Sequence, residues 1–140
     1  MKDLDQFAKT IVPQKMPQAR MSADAFIEAW NAGKAELVDI RIPSEVAVWQ
    51  LNFGLKIPAD ELPERLDELA RDKTLVVACP MTDRSNMARA YLVTQGFDAR
   101  YLQGGLLGLM DRLKGSKAGD IRLYSGKQNG LHSPREGRSG

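Results

Sequence analysis

Hydrophobic positions along the chain fall into two patterns, short strand-like runs and longer stretches with helical spacing. The strand-like runs are AELVDI (35–40), TLVVAC (74–79) and DARYLQ (98–103). The second is rich in β-branched residues and has no polar alternation, which is typical of a strand buried on both faces of a sheet. These three runs therefore predict the core strands of the protein.

Helical spacing of apolar residues separates these runs. Ser22 is a predicted N-cap for a helix that ends near NAGK (31–34), and Gly96 is a predicted C-cap for a helix over 85–95. A segment over 62–72 places three leucines on one face, and a last helix follows the double glycine after the third strand. Short strands alternating with helices predict an α/β fold, in which helices cover both faces of a parallel sheet.

The two ends of the chain differ from this pattern. Residues 1–17 are predicted to form an N-terminal arm, either a docking element or a frayed terminus, and residues 18–124 to form one domain. Residues 125–140 are rich in Gly and Ser and lack apolar periodicity, which predicts a disordered tail. Part of that tail resembles sequence added for expression.

Composition and charge exclude several classes of partner. The 140 residues are 43% hydrophobic and 27% charged, with a net charge of +2, so no nucleic-acid partner is expected. No segment approaches the roughly 18 apolar residues of a membrane span, and the first residues do not resemble a signal peptide. With one cysteine and no internal disulfide, the expected location is the cytoplasm.

The candidate chemistry lies where the run TLVVAC ends, at Cys79. The polar segment PMTDR (80–84) connects this cysteine to the predicted helix. Ligands bind beyond the carboxyl ends of parallel strands, and the unpaired N–H groups of a helix start favour an anion. A thiol there is expected to lose its proton more readily and to be a better nucleophile, and Arg84 adds positive charge. The structural alternative is a small buried cysteine beside a surface arginine.

Several segments together resemble the single-domain rhodaneses. VVACPMTDRSNMA (76–88) is similar to the active-site loop of that family, and LVDIRIPSE (37–45) is similar to its Leu-(Ile/Val)-Asp-Val-Arg-x-x-x-Glu segment. MSADAFIEAW (21–30), LKIPADELPERL (55–66) and GFDARYLQGGLLGL (96–109) extend the resemblance, which covers about residues 19–113. It implies a rhodanese-like fold, with a central parallel sheet of about five strands.

The resemblance implies a sulfurtransferase, an enzyme that carries sulfane sulfur as a persulfide on a cysteine. Cys79 would be the nucleophile and carrier, and the loop residues Met81, Thr82, Asp83 and Arg84 would bind the substrate. Backbone N–H groups of that loop would hold the anionic persulfide, and Arg84 would orient the donor. The donor would be thiosulfate or a persulfide-carrying protein, and the acceptor would be a thiol or cyanide. No cofactor is implied.

Other residues receive supporting or structural roles. Asp39 and Arg41 would support the active loop or form a local salt bridge, which also takes in Glu45 one turn later, and the structural role is favoured. Gly104 and Gly105 are predicted to be backbone requirements where a strand turns into a helix. His132 is the one histidine of the sequence and lies in the tail, so no metal site and no cysteine–histidine pair are expected.

Two alternatives to sulfur transfer remain. The loop from Cys79 to Arg84 has six residues, as in sulfur-transferring members, whereas the related phosphatases and arsenate reductases use a longer loop, so phosphatase activity is disfavoured. The other alternative is a catalytically weak binding or regulatory module with a structural or redox-sensing cysteine. Pro80, Thr82 and Asp83 favour it, because they respectively remove an N–H donor, restrict the backbone and place negative charge near the thiol.

Overall fold

A single sheet of five parallel strands forms the centre of the protein. The computed structural model describes residues 3–123. The strand order is β1-β5-β4-β2-β3. The strands are β1 (Arg20–Met21), β2 (Ala35–Asp39), β3 (Leu55–Lys56), β4 (Thr74–Ala78) and β5 (Ala99–Leu102). The predicted α/β fold is confirmed, including the number of strands.

Helices of two kinds connect the strands. The α-helices are α1 (Leu4–Ala8), α2 (Ala23–Asn31), α3 (Pro43–Val48), α4 (Asp83–Thr94) and α5 (Gly105–Leu113). Short 3-10 helices span Met16–Ala19, Ala59–Glu64, Leu66–Glu68 and Gly115–Asp120. The predicted cap of α2 is present, because the Ser22 hydroxyl oxygen accepts a hydrogen bond from the N–H of Ala25 at 3.1 Å.

The sheet separates two hydrophobic layers. On one face, strand residues such as Val76 pack with α2 and α5. On the other face, residues such as Val77 pack with α4 and with the two 3-10 helices over 59–68. Neighbouring strand residues point to opposite faces, and both faces are covered, so both valines are fully buried. This two-sided burial is the reason that β4 shows an uninterrupted apolar run.

The predicted helical segment over 62–72 is different in the structure. It forms two 3-10 helices, Ala59–Glu64 and Leu66–Glu68, and the N–H of Arg65 donates to the carbonyl of Leu62 at 3.0 Å. Pro63 lies inside the first of them and has no N–H, so a regular α-helix would lose a hydrogen bond there. The leucine spacing is still used, because Leu62 and Leu69 are buried against the sheet.

The N-terminal arm contributes α1, which lies against α4. The guanidinium carbon of Arg89 lies 5.4 Å from the centre of the Phe7 ring, within the range of a cation–π contact. The tail predicted for 125–140, with His132, lies outside the described residues. Among residues 3–123, no helix is long and apolar enough to cross a membrane.

Candidate active site

Cys79 is the residue that follows β4, at the carboxyl edge of the sheet. The neighbouring strand holds this end in place, because the N–H of Ile40 donates to the carbonyl of Ala78 at 3.0 Å. Cys79 is a free thiol, and none of its surface is exposed. The fold therefore places the thiol where strands of a parallel sheet give way to helices, the usual position of ligands in such sheets.

The loop after Cys79 carries a row of unpaired backbone donors. Helix α4 begins at Asp83, and the N–H of Asn86 bonds back to the carbonyl of Thr82 at 2.9 Å. Within residues 3–123, no acceptor is present for the backbone N–H groups of residues 81–85. Pro80 contributes no donor. The first turn of α4 and the loop before it therefore offer N–H groups to an anion.

A second helix start, that of α5, closes over the same loop. The N–H of Leu106 donates to the carbonyl of Cys79 at 2.8 Å, and that of Leu107 donates to the carbonyl of Pro80 at 3.2 Å. Gly105 has a φ of +67°, and a Cβ there would overlap the carbonyl oxygens of Pro80 and Met81. The predicted backbone requirement for glycine is thus confirmed, and this close approach helps to bury Cys79.

Arg84 does not stand free beside the thiol, because Glu45 binds it. Its Nη1 and Nη2 donate to Oε1 and Oε2 of Glu45 at 2.9 and 2.7 Å. The hydrogen bonds from Arg84, aided by the N–H of Ile42, lower the pKa of Glu45 to about 2. Glu45 in turn raises the pKa of Arg84, and the negative charge of Asp83 acts in the same direction.

Asp39 and Arg41 form a second ion pair, and this one is completely buried. Nη2 of Arg41 lies 2.8 Å from Oδ2 of Asp39, and neither side chain has any exposed surface. Arg41 also donates to the carbonyl of Trp49 at 2.9 Å, and its guanidinium carbon lies 4.0 Å from the centre of the Trp49 ring. The pair therefore ties the end of β2 to the segment after α3.

Comparison with known proteins agrees with this arrangement. Residues 22–111 match the family described as Rhodanese-like domain. This chain belongs to the rhodanese-like domain family. The match includes the loop after Cys79, both ion pairs and the double glycine, so the resemblance read from the sequence is confirmed.

Relatives and solved structures of rhodanese-like proteins extend the match. A protein named Sulfurtransferase from Allochromatium vinosum is 38% identical over 72 residues, which are 51% of this chain and 67% of that protein. Thiosulfate sulfurtransferase GlpE from Stutzerimonas stutzeri is 38% identical over 76 residues, 54% of this chain and 69% of that protein. The crystal structure of a rhodanese-related protein from Thermoplasma volcanium superposes with a TM-score of 0.59 at 27% identity. It covers 66% of this chain and 91% of that one.

The rhodanese-like fold brings the predicted site residues of the loop into one place, with different exposure. Met81 is 66% exposed, Asp83 and Arg84 are exposed, and Thr82 is half-buried beside the buried Cys79. No group of three or more side chains suited to hold a metal ion occurs among residues 3–123.

Sequence reasoning missed the role of Glu45. Glu45 was expected one turn from Arg41, in a local salt bridge, but Arg41 pairs with Asp39 and Glu45 pairs with Arg84. Glu45 also accepts a hydrogen bond from the N–H of Ile42, which turns its carboxylate toward the start of α3. The sequence signal for Glu45 was its place four residues after Arg41 in LVDIRIPSE. This signal does not reveal that Arg84, 39 positions later, is the partner of Glu45.

Proposed function

We propose that this chain is a sulfurtransferase that carries sulfane sulfur as a persulfide on Cys79. The donor would be thiosulfate or a persulfide-carrying protein, and the acceptor would be a thiol or cyanide. The observation that carries the proposal is the row of unpaired N–H groups over residues 81–85, directly after a thiol at the carboxyl edge of the sheet. Membership of the rhodanese-like family and the names of the matching relatives support it.

The reaction needs only the thiol and an anion site. The Cys79 thiolate attacks the outer sulfur of the donor, a new S–S bond forms, and the bond between that sulfur and the rest of the donor breaks. The leaving group, sulfite from thiosulfate or a thiolate from a persulfide, keeps the electron pair of the broken bond. The persulfide left on Cys79 is itself an anion, and the N–H groups of Met81, Thr82, Asp83 and Arg84 would stabilise it.

The remaining residues would orient the donor or hold the backbone next to Cys79. Arg84 would orient an anionic donor at the start of α4, subject to its ion pair with Glu45. Asp39 and Arg41 would hold the strand end next to Cys79, because Arg41 is bound to Asp39 and to the carbonyl of Trp49. A transfer by this mechanism involves no metal and no cofactor.

The second candidate function is a binding or regulatory module with a structural or redox-sensing cysteine. The burial of Cys79 favours it, because a nucleophile has to meet its donor. Pro80, Thr82 and Asp83 favour it as well, because they respectively remove an N–H donor, restrict the backbone and place negative charge near the thiol. In this function the loop would serve as part of a docking surface, and no sulfur would bind.

Intact-mass measurement separates the two candidates. The protein is incubated with thiosulfate, and in parallel with a small-molecule persulfide, beside the variant Cys79→Ser. We expect the protein to gain the mass of one sulfur atom, to lose it on addition of cyanide, and the variant to gain nothing. An unchanged mass with every donor, while Cys79 remains open to alkylation, would rule out the carrier and leave the binding module.

A further inference from the structure

The strongest unexplained feature of the loop is its charge. Between Cys79 and Ser85 the sequence offers one cation, Arg84, and one anion, Asp83, which is exposed in the first turn of α4. Glu45 already occupies both terminal nitrogens of Arg84. The three charged side chains, Asp83, Arg84 and Glu45, therefore leave one net negative charge at the mouth of the loop.

Glu45 keeps its charge at neutral pH. The pKa of Glu45 is lowered to about 2, so its carboxylate is ionised at any pH at which the protein would work. An incoming donor anion thus has to compete with a carboxylate already bound to Arg84, and it meets Asp83 as well. A doubly charged donor pays this penalty twice as heavily as a singly charged one.

Apolar side chains are also exposed around the loop. Met81 is 66% exposed, Met87 on α4 is 73% exposed and Leu107 on α5 is 52% exposed. Leu107 lies beside the loop, because its N–H bonds to the carbonyl of Pro80. An apolar groove between α4 and the 3-10 helix Ala59–Glu64 continues from Arg84 and is lined by Ala59, Leu62, Pro63, Met87, Ala88 and Tyr91. Methionines suit a surface that adapts to a partner.

We infer that the sulfur donor is a persulfide on a cysteine flanked by uncharged, apolar residues, and that the loop discriminates against the dianion thiosulfate. The inference deepens the proposed function and rests on it. In the step, the Cys79 thiolate attacks the outer sulfur of R–S–SH, the S–S bond of the donor breaks, and R–S⁻ leaves with the electron pair. The departing R–S⁻ takes the proton of the transferred sulfur, so R–SH is released, the anionic persulfide stays on Cys79, and charge and atoms balance without any further reactant.

The test compares how a charge change alters the use of two donors. The probes are thiosulfate and the persulfide of an acetylated, amidated peptide Ala-Leu-Cys-Leu-Ala, and the rate of sulfur gain on Cys79 is followed by intact mass. The ratio of the thiosulfate rate to the peptide rate is determined for each protein. Comparing this ratio between proteins cancels the intrinsic reactivity of each donor. The variant is Asp83→Lys, which reverses the charge at the loop.

The matched control is Asp72→Lys, which makes the same charge change at the other end of β4. Five strand residues, Thr74–Ala78, separate the two ends by about 17 Å, beyond the Debye length of about 8 Å at physiological salt. We expect Asp83→Lys to raise the thiosulfate-to-peptide rate ratio by about tenfold or more. Asp72→Lys should change that ratio by less than about twofold.

The outcomes separate this inference from the function beneath it. If Cys79 takes up sulfur but Asp83→Lys leaves the ratio unchanged, the inference is wrong and the proposed function stands. If Cys79 takes up sulfur from neither donor in any protein, both fail. Should Asp83→Lys not fold, Glu45→Gln replaces it, because it releases Arg84 and should also raise the ratio; an unchanged ratio there would overturn the inference.

Discussion

Two arginine–carboxylate pairs lie near Cys79, and they have the same chemistry but a different exposure to solvent. The Asp39–Arg41 pair has no exposed surface, whereas the side chains of Arg84 and Glu45 are 43% and 30% exposed. Both pairs hold their carboxylate at 2.7–2.8 Å. The comparison teaches that two ion pairs of similar length differ in their role through burial: the buried pair holds the strand end, and the exposed pair is open to solvent at the start of α4.

The largest expected effect comes from breaking the buried pair. Asp39→Asn leaves the Arg41 guanidinium buried without its counter-charge, and we expect the free energy of unfolding to fall by about 3–5 kcal/mol. Urea denaturation, followed by far-UV circular dichroism, measures the change. A loss below about 1 kcal/mol would show that Arg41 reaches solvent or another acceptor, and that the two pairs are alike.

A smaller effect is expected from breaking the exposed pair. Glu45→Gln removes the charge but keeps an oxygen that can accept the N–H of Ile42, so the free energy of unfolding should fall by about 1 kcal/mol or less. The same urea titration applies, with Glu68→Gln as a matched control in another exposed arginine pair. If Glu45→Gln costs as much as Asp39→Asn, the exposed pair is a structural element of the fold.

The smallest effect is a pH dependence of the exposed pair. Because the pKa of Glu45 is lowered from 4.5 to about 2, its ion pair adds stability above pH 4.5, and that stability is lost as the pH falls toward 2. The difference in the free energy of unfolding between wild type and Glu45→Gln should therefore shrink over this window. Urea titrations at several pH values measure it, and a difference that grows on acidification would contradict the assigned direction.

The fold was predictable because its central strands and longest helices follow strong periodic patterns. The run TLVVAC and the helix after it were placed within about two residues, since a short apolar run rich in β-branched residues is typical of a strand buried on both faces. By contrast, α3 has six residues and β3 has two, too few to show a period. Pro63 also turned a helical leucine pattern into 3-10 turns.

Only the parts of the site formed by residues close together in the sequence could be predicted. Cys79 to Arg84 and the double glycine could be read directly from the chain. The contact of Arg84 with Glu45 could not, because only the order of strands in the sheet brings residues 39 positions apart together. The double glycine indicated a backbone requirement but not its partner: the N–H of Leu106 donates to the carbonyl of Cys79, a tertiary contact between residues far apart in the sequence.

The presence of a single cysteine in these 140 residues has a consequence for the lifetime of any bound sulfur. A persulfide is normally discharged when a second thiol attacks it, releasing hydrosulfide and leaving a disulfide. Cys79 has no such partner within this sequence, so no second cysteine of the chain can displace hydrosulfide from the persulfide. Sulfur bound to Cys79 would therefore remain on it until an acceptor from another molecule removes it, and each chain would carry one sulfur atom at a time.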